Sequence, residues 1–203
     1  KRLSEKGLLI GIDRDTEAIS AAKEKLKDFN NVIYYHGNHD DVESILEELN
    51  IDKVDGILLD LGVSSYQLDE RNRGFSYLGE AILDMRMDRT QDLDAKKVVN
   101  TYPEEKLAKI FFEYGEEKFS RNIARKICEY RKTKEIETTK ELVELIETSI
   151  PGWSRKQDSH PAKRVFQAIR IEVNEEIKLL EKGIEDSIKA LNKNGRLCII
   201  SFH

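Results

Sequence analysis

The chain has 203 residues, 39% hydrophobic and 36% charged, which gives enough apolar material for the core of one α/β domain with a modest insertion under a heavily charged surface. Its 39 acidic residues outnumber 34 basic ones for a net charge of −5, which excludes a protein coated in positive charge and leaves any nucleic-acid contact to local basic patches. No apolar run approaches a membrane span, Lys1 to Lys6 lack the apolar stretch of a signal peptide, and Cys128 and Cys198 stand apart from any metal-ligand spacing, so the expectation is a cytoplasmic protein with reduced thiols, no metal and no membrane contact. No Met precedes Lys1, so Lys1 is not expected to be the natural start.

In chain order, Leu8-Leu9-Ile10-Gly11-Ile12-Asp13 is a short apolar run ending in an acid, the pattern of a buried parallel strand. Asp15 or Thr16 can cap a helix running to about Asp28, with Ile19, Ala22 and Leu26 on one face. A second strand is expected over Val32–His36, a second helix over Asp40–Leu49, and a third strand over Val54–Leu61. Strand and helix alternate at the spacing of parallel βαβ units, which points to an α/β nucleotide-binding architecture.

From about Asp84 the pattern changes, and no strand-like run returns until Leu197-Cys198-Ile199-Ile200. Pro103 can open a helix with Leu107, Ile110, Phe111 and Tyr114 on one stripe, and Ile123 and Ile127 mark another. Thr138-Thr139-Lys140-Glu141 offers a capping box for a third. Pro151-Gly152-Trp153 breaks the pattern, and Pro161 can open a long helical stretch that returns to the sheet through Asn194-Gly195. The expected organisation is residues 1–83 as the beginning of an α/β domain, 84–157 as an inserted helical subdomain, and 158–203 as the return to the α/β domain.

Asp13 ends its strand where open α/β sheets bind ligands and where an acid accepts the hydroxyls of a ribose, a feature shared by adenosylmethionine and nicotinamide dinucleotide sites. The loop Asp60-Leu61-Gly62-Val63-Ser64-Ser65-Tyr66-Gln67-Leu68-Asp69, running on to Arg73-Gly74-Phe75-Ser76-Tyr77, follows a strand directly and concentrates small, polar, acidic and aromatic residues. With Leu83-Asp84-Met85-Arg86-Met87-Asp88 beyond it, with His160-Pro161-Ala162-Lys163-Arg164-Val165-Phe166-Gln167-Ala168-Ile169-Arg170-Ile171-Glu172-Val173-Asn174-Glu175-Glu176, and with Ile200-Ser201-Phe202-His203, it resembles the bacterial ribosomal RNA small-subunit methyltransferase H family.

That resemblance implies a Rossmann-like class I methyltransferase sheet and an S-adenosylmethionine-dependent N4-methylation of a cytidine in the decoding region of 16S rRNA within the small ribosomal subunit. It implies cofactor contacts at Asp13, His39, Asp60 and Gln67, with Asp60, Ser64 and Ser65 around the cytosine amine and Phe75 or Tyr77 able to stack on the base. His39 stands where the family usually has an aromatic residue, and a solvated loop histidine is the alternative there. The family's glycine-rich loop and first strand would precede Lys1, so the sheet is expected to be incomplete. The strands ending at Asp13 and Asp60 are then expected either to close on one another or to have the place between them filled by another segment, including one from a second copy in a homodimer. Basic residues cluster at Lys118, Arg121, Arg125, Lys126, Arg131, Lys132 and Lys134, and again at Arg155, Lys156, Lys163 and Arg164. Of these, Arg121, Arg125, Lys126, Arg155, Lys163 and Arg164 are the candidate RNA contacts, against the alternative of a solvated helix surface. A nicotinamide-dependent oxidoreductase and a noncatalytic RNA-binding module are the competing readings; the former predicts a Gly-rich fingerprint that this chain does not show.

Overall fold

A computed structural model describes residues 3, 4, 6–152 and 160–201. The chain divides into two compact units, Lys1–Gly62 with Glu176–His203, and Val63–Glu175. The expected helical segment 84–157 falls inside the second unit, which extends beyond it at both ends.

The first unit carries the strands. β1 (Leu9–Asp13) pairs in parallel with β2 (Val32–His36), and β3 (Val54–Asp60) pairs in parallel with β4 (Leu191–Ile200). α1 (Thr16–Lys25) makes the crossover from β1 to β2, and its N-terminus is capped by Asp15, whose carboxylate accepts the Glu17 N–H at 3.0 Å. A 3₁₀ turn at His39–Asp41 leads into α2 (Val42–Glu48), and α9 (Glu176–Ala190) leads into β4. The register slips between Val54 and Gly56, where the segment Asn192–Gly195 interrupts β4, with Asn194 in the left-handed region at φ 68°.

The expected closure of the Asp13 strand on the Asp60 strand is not what the structure shows. Among the described residues β1 pairs only with β2 and β3 only with β4, in two separate two-stranded sheets, and no other described segment joins either. The reason lies in the packing: Ile10 and Ile12 of β1 and Val54 and Ile57 of β3 all rest on a small core of Val42 and Leu46 from α2 and Ala190 from α9. Side-chain burial against shared helices holds both sheets without edge pairing, and apolar strand residues such as Leu58 stay exposed, at 63%.

The second unit is helical and holds the larger core. α3 (Ser65–Asp69) and α4 (Ala95–Thr101), neither anticipated from the sequence, precede α5 (Glu104–Glu113), α6 (Ser120–Tyr130), α7 (Thr139–Ser149) and α8 (Ala162–Val173). In α6 the buried residues Ser120, Ile123, Ala124 and Ile127 recur at three to four positions, one stripe facing the core. In α8 Ala162, Val165, Phe166, Ala168, Ile169, Ile171 and Val173 are all buried, so this helix is apolar around most of its girth and runs through the centre of the unit. The long helical stretch expected from Pro161 is built of two helices: α8 stops at Val173, Asn174 turns its side chain into the core, Glu175 takes φ 49°, and α9 starts at Glu176.

Candidate active site

In the strand-bearing unit two candidate acids end parallel strands. Asp13 sits at the carboxyl end of β1, level with His36 of β2, and one of its oxygens accepts the Asp15 N–H at 2.8 Å. Surrounding protein desolvates the carboxyl and raises its pKa above the ordinary value, although bonds from the Asp15 and Arg14 backbone pull the other way. Asp60 ends β3 level with Ile200, is exposed, and has no hydrogen-bond or ion-pair partner among the described residues. Water therefore meets its charge, and the penalty for an unpaired buried acid does not apply. Carboxylates at the ends of parallel strands suit the hydroxyl donors of a nucleoside, and that of Asp60 has no protein partner among the described residues.

His39 opens the 3₁₀ turn, whose cap Asn38 and third residue Asp41 form a reciprocal capping box. Its ring lies against Gly183 of α9, where a methyl group would come within 2.2 Å of Cδ2. The Nε2 atom is buried without a hydrogen-bond partner, and burial holds the imidazole below its ordinary pKa against the opposing pull of Asp40. The solvated-loop alternative for His39 therefore does not describe its surroundings, since the ring is packed against a helix.

The helical unit begins with the rest of the loop. Ser64 caps α3: its hydroxyl accepts the Gln67 N–H at 3.2 Å, and the Gln67 side-chain carbonyl accepts the Ser64 N–H at 3.1 Å, which leaves Gln67 buried. Ser65 is exposed and its hydroxyl has no partner among the described residues. The aromatic rings offered for base stacking are packed instead. Phe75 is buried with the Arg73 guanidinium 5.8 Å from its centroid, and Tyr77 stacks on His160 at 4.8 Å and meets Phe166 edge-on at 6.1 Å.

A supporting network went unnoticed in the sequence. Met85 is fully buried at φ 60°, and the backbone around it is held from two sides. Arg73 accepts the Met85 N–H on its carbonyl at 3.0 Å and donates from Nη2 to the carbonyls of Arg86 and Met87 at 3.0 and 3.2 Å. Asn174, with no exposed surface, accepts the Met87 N–H at 2.8 Å and donates to the carbonyls of Met85 and Arg170 at 2.8 and 2.9 Å. Asp84 accepts Nε and Nη2 of Arg86 at 2.7 and 3.0 Å; burial alone would raise its pKa, but the Arg86 bonds outweigh it and the carboxyl lies below the ordinary value. Thr139, also fully buried, accepts the Ala81 N–H and donates to the Gly79 carbonyl, tying the 76–82 loop to α7. The signal available was polar residues standing where an apolar stripe should continue, Asn174 at the end of α8 above all.

The basic candidates separate in space. Arg131 is consumed by the carbonyls of Val99 and Tyr102 at the end of α4, at 2.8 and 2.6 Å, and Lys134 by Glu141. Arg121, Arg125, Lys126, Lys163 and Arg164 are exposed and have no partner among the described residues. Arg155, with its neighbour Lys156, lies outside the described residues. Among those described, no group of three or more His, Cys, Asp or Glu side chains is placed to hold a metal ion, and no helix is long and apolar enough to cross a membrane.

Parallel strands ending in acids, crossed over by helices, describe an α/β protein of the kind that binds nucleosides at strand ends. The model of the MraW methylase family matches residues 1–203, and the chain belongs to that family. Its relatives include proteins named ribosomal RNA small subunit methyltransferase H from Clostridium botulinum strains Kyoto (type A2), Loch Maree (type A3) and 657 (type Ba4). Each is 64% identical over 203 residues, which is all of this chain and 65% of the relative. The chain thus spans a little under two thirds of the length of these curated relatives. The family is one of methylases, whereas the strand-end acid alone left a nicotinamide-dependent oxidoreductase open.

Proposed function

We propose that the full protein transfers a methyl group from S-adenosylmethionine to the N4 amine of a cytidine in the decoding region of 16S rRNA, using a Rossmann-like class I sheet with an inserted helical substrate-recognition subdomain. The observation that carries the reading is Asp60: an exposed carboxylate without a protein partner at the end of a parallel strand, in a chain of a methylase family. The cofactor's sulfonium supplies an activated methyl group with a good leaving group already in place. Asp13 holds the ribose hydroxyls at the carboxyl end of β1, and His39 and Gln67 are the further proposed contacts, each also doing structural work as described above.

On the substrate side, the cytosine amine is a poor nucleophile because its lone pair is delocalised into the ring. Asp60 accepts a hydrogen bond from the amine and draws density back to nitrogen. Ser65 and the hydroxyl hydrogen of Ser64, whose oxygen already serves α3, orient the base, and alignment supplies most of the rate. The target cytosine leaves its stack to enter, as bases do when their exocyclic groups react. The cations Arg121, Arg125, Lys126, Arg155, Lys163 and Arg164 are the proposed contacts to the RNA backbone.

The test is transfer of radiolabelled methyl from S-adenosylmethionine to small subunits lacking the modification, with the labelled nucleoside identified after digestion. N4-methylcytidine is expected from the wild-type protein, and Asp60→Ala is expected to lose transfer with an unchanged thermal midpoint, since the exposed side chain makes no hydrogen bond or ion pair to a described residue. A different labelled nucleoside overturns the substrate; wild-type turnover by Asp60→Ala overturns the role of Asp60.

A further inference from the structure

Five of the nine described α-helices carry an acid in the first turn, among them Glu17 of α1, Glu104 with Glu105 of α5, Glu141 of α7 and Glu176 of α9, as the positive end of the helix dipole favours. Helices α3, α4, α6 and α8 do not. In α4 Lys96 and Lys97 stand there, but both are held, by Glu135 and Glu137 and by the Asp92 carbonyl. The first turns of α6 and α8 also present cations: Arg121 in α6, and Lys163 and Arg164 in α8. Arg125 follows one turn beyond Arg121 on the same face, a like-charge pair at the spacing where such charges repel. All four are exposed and lack a protein partner among the described residues, while Lys96, Lys106 and Lys134 of the same unit sit in ion pairs. Cations placed against both the dipole and one another do not serve the stability of the free protein.

The start of α8 also lies against the turn that leads into α6. The turn between α5 and α6 rests on α8 so closely that a methyl group on Gly115 would meet the Arg164 carbonyl at 2.4 Å, and Gln167 of α8 donates to the Tyr114 carbonyl at 3.3 Å. Of the acids in that turn, Glu117 is buried and accepts the Phe119 N–H at 2.8 Å, so only Glu116 faces the solvent beside the cations. Arg121 and Arg125 are thus linked through one packed turn to Lys163 and Arg164, 38 to 43 positions away in the sequence.

We propose that Arg121 and Arg125 of α6 and Lys163 and Arg164 of α8 form a single phosphate track, on which consecutive phosphodiesters of one RNA segment run from the start of one helix to the start of the other. The inference deepens the RNA reading above and rests on it, replacing two separate patches by one continuous surface. Arginine and lysine at these positions suit a backbone rather than a base edge, because exposed side chains on helix starts match the charge of phosphates without a pocket to read a base.

The test uses the full-length protein and small-subunit rRNA, with affinity followed against salt. Arg121→Gln with Arg125→Gln is one variant, Lys163→Gln with Arg164→Gln a second, and all four together a third; Lys6→Gln with Lys193→Gln, exposed in the other unit, controls for net charge. Each track pair is expected to lower the slope of log affinity against log salt by about 1.4–1.8, and the quadruple variant by about twice that, with the thermal midpoint unchanged or raised. A track pair that shifts the slope no more than the control overturns the proposal, as does loss of affinity for anionic phosphatidylserine vesicles with RNA binding unchanged. Binding of S-adenosylhomocysteine is measured alongside: a wild-type protein that binds RNA along the track but neither binds this compound nor methylates fails the methyltransferase reading and leaves the track standing.

Discussion

Replacing Asn174 by alanine tests whether the irregular backbone at Met85 is held by side chains or merely buried. The wild-type amide satisfies the Met87 N–H and the Met85 carbonyl, both at 2.8 Å and both inside the core. The third partner, the Arg170 carbonyl, keeps the Asn174 backbone N–H at 3.0 Å and is not orphaned by the change. Asn174→Ala therefore leaves two buried backbone groups unpaired, each costing about 1–3 kcal/mol, and a total near 3 kcal/mol is a conservative expectation. For a chain of this size that lowers the thermal midpoint by about 6–12 °C, read by circular dichroism or by the urea midpoint. Asn174→Asp sharpens the test. A carboxylate keeps the acceptor for Met87 but faces the Met85 and Arg170 carbonyls, which raises its folded-state pKa. Its penalty is then full at neutral pH and shrinks as pH falls and the protonated acid regains a donor, so the two variants are expected to converge or cross in acid. A loss below about 0.5 kcal/mol in Asn174→Ala, the size of an ordinary surface change, would refute the claim that this side chain holds the loop.

Gly183→Ala puts a methyl within 2.2 Å of His39 Cδ2 and is expected to cost about 1–3 kcal/mol by overpacking, with His39→Ala restoring most of it; an additive double mutant would place the ring elsewhere. Burial holds His39 below the ordinary value of 6.5, so its folded state resists protonation: the stability it contributes is present above about pH 6.5 and is lost as pH falls below that, and His39→Gln is expected to flatten the fall of the urea midpoint between pH 7 and pH 5. Thr139→Val removes the bonds at 2.9 and 3.0 Å to Ala81 and Gly79, and is expected to destabilise by about 1–3 kcal/mol and to speed proteolytic cleavage within residues 76–82; an unchanged cleavage rate would mean that the loop is held by other contacts.

Much of the local structure was legible because it depends on short-range chemistry. The apolar runs ending at Asp13 and Asp60 are strands, Asp15 caps α1, and the Thr138–Glu141 box opens α7, each written in adjacent residues. What was not legible depends on partners distant in sequence. Nothing in the run from Pro161 announces that Asn174 will leave the helix to serve Met85 and Met87, because that demand originates some 87 residues earlier. Closure of β1 on β3, one of the two outcomes that backbone accounting allowed, does not occur for the same reason: the helices α2 and α9 give their apolar faces a shared core. In the loop, spacing alone did not distinguish the ring of Tyr77 stacked on His160 from a ring free to receive a base.

Several of the residue blocks that identify the family come together in space, and this explains their composition. The segment Leu83–Asp88 is non-repetitive, so apart from the Arg86 N–H, which the Asp84 carboxylate accepts at 3.1 Å, its backbone groups must be met from outside. They are met by Arg73 from the preceding block and Asn174 from the following one. A polar residue inside such a block is therefore weak evidence of contact with a ligand, since the scaffold has prior use for it. The useful distinction is whether its polar atoms are already engaged. Those of Thr139 and Asn174 are, as is Nη2 of Arg73, and altering these residues should reduce stability before activity. Asp60 and Ser65 carry groups that no described residue uses, so changing them should reduce activity and leave the unfolding transition where it was.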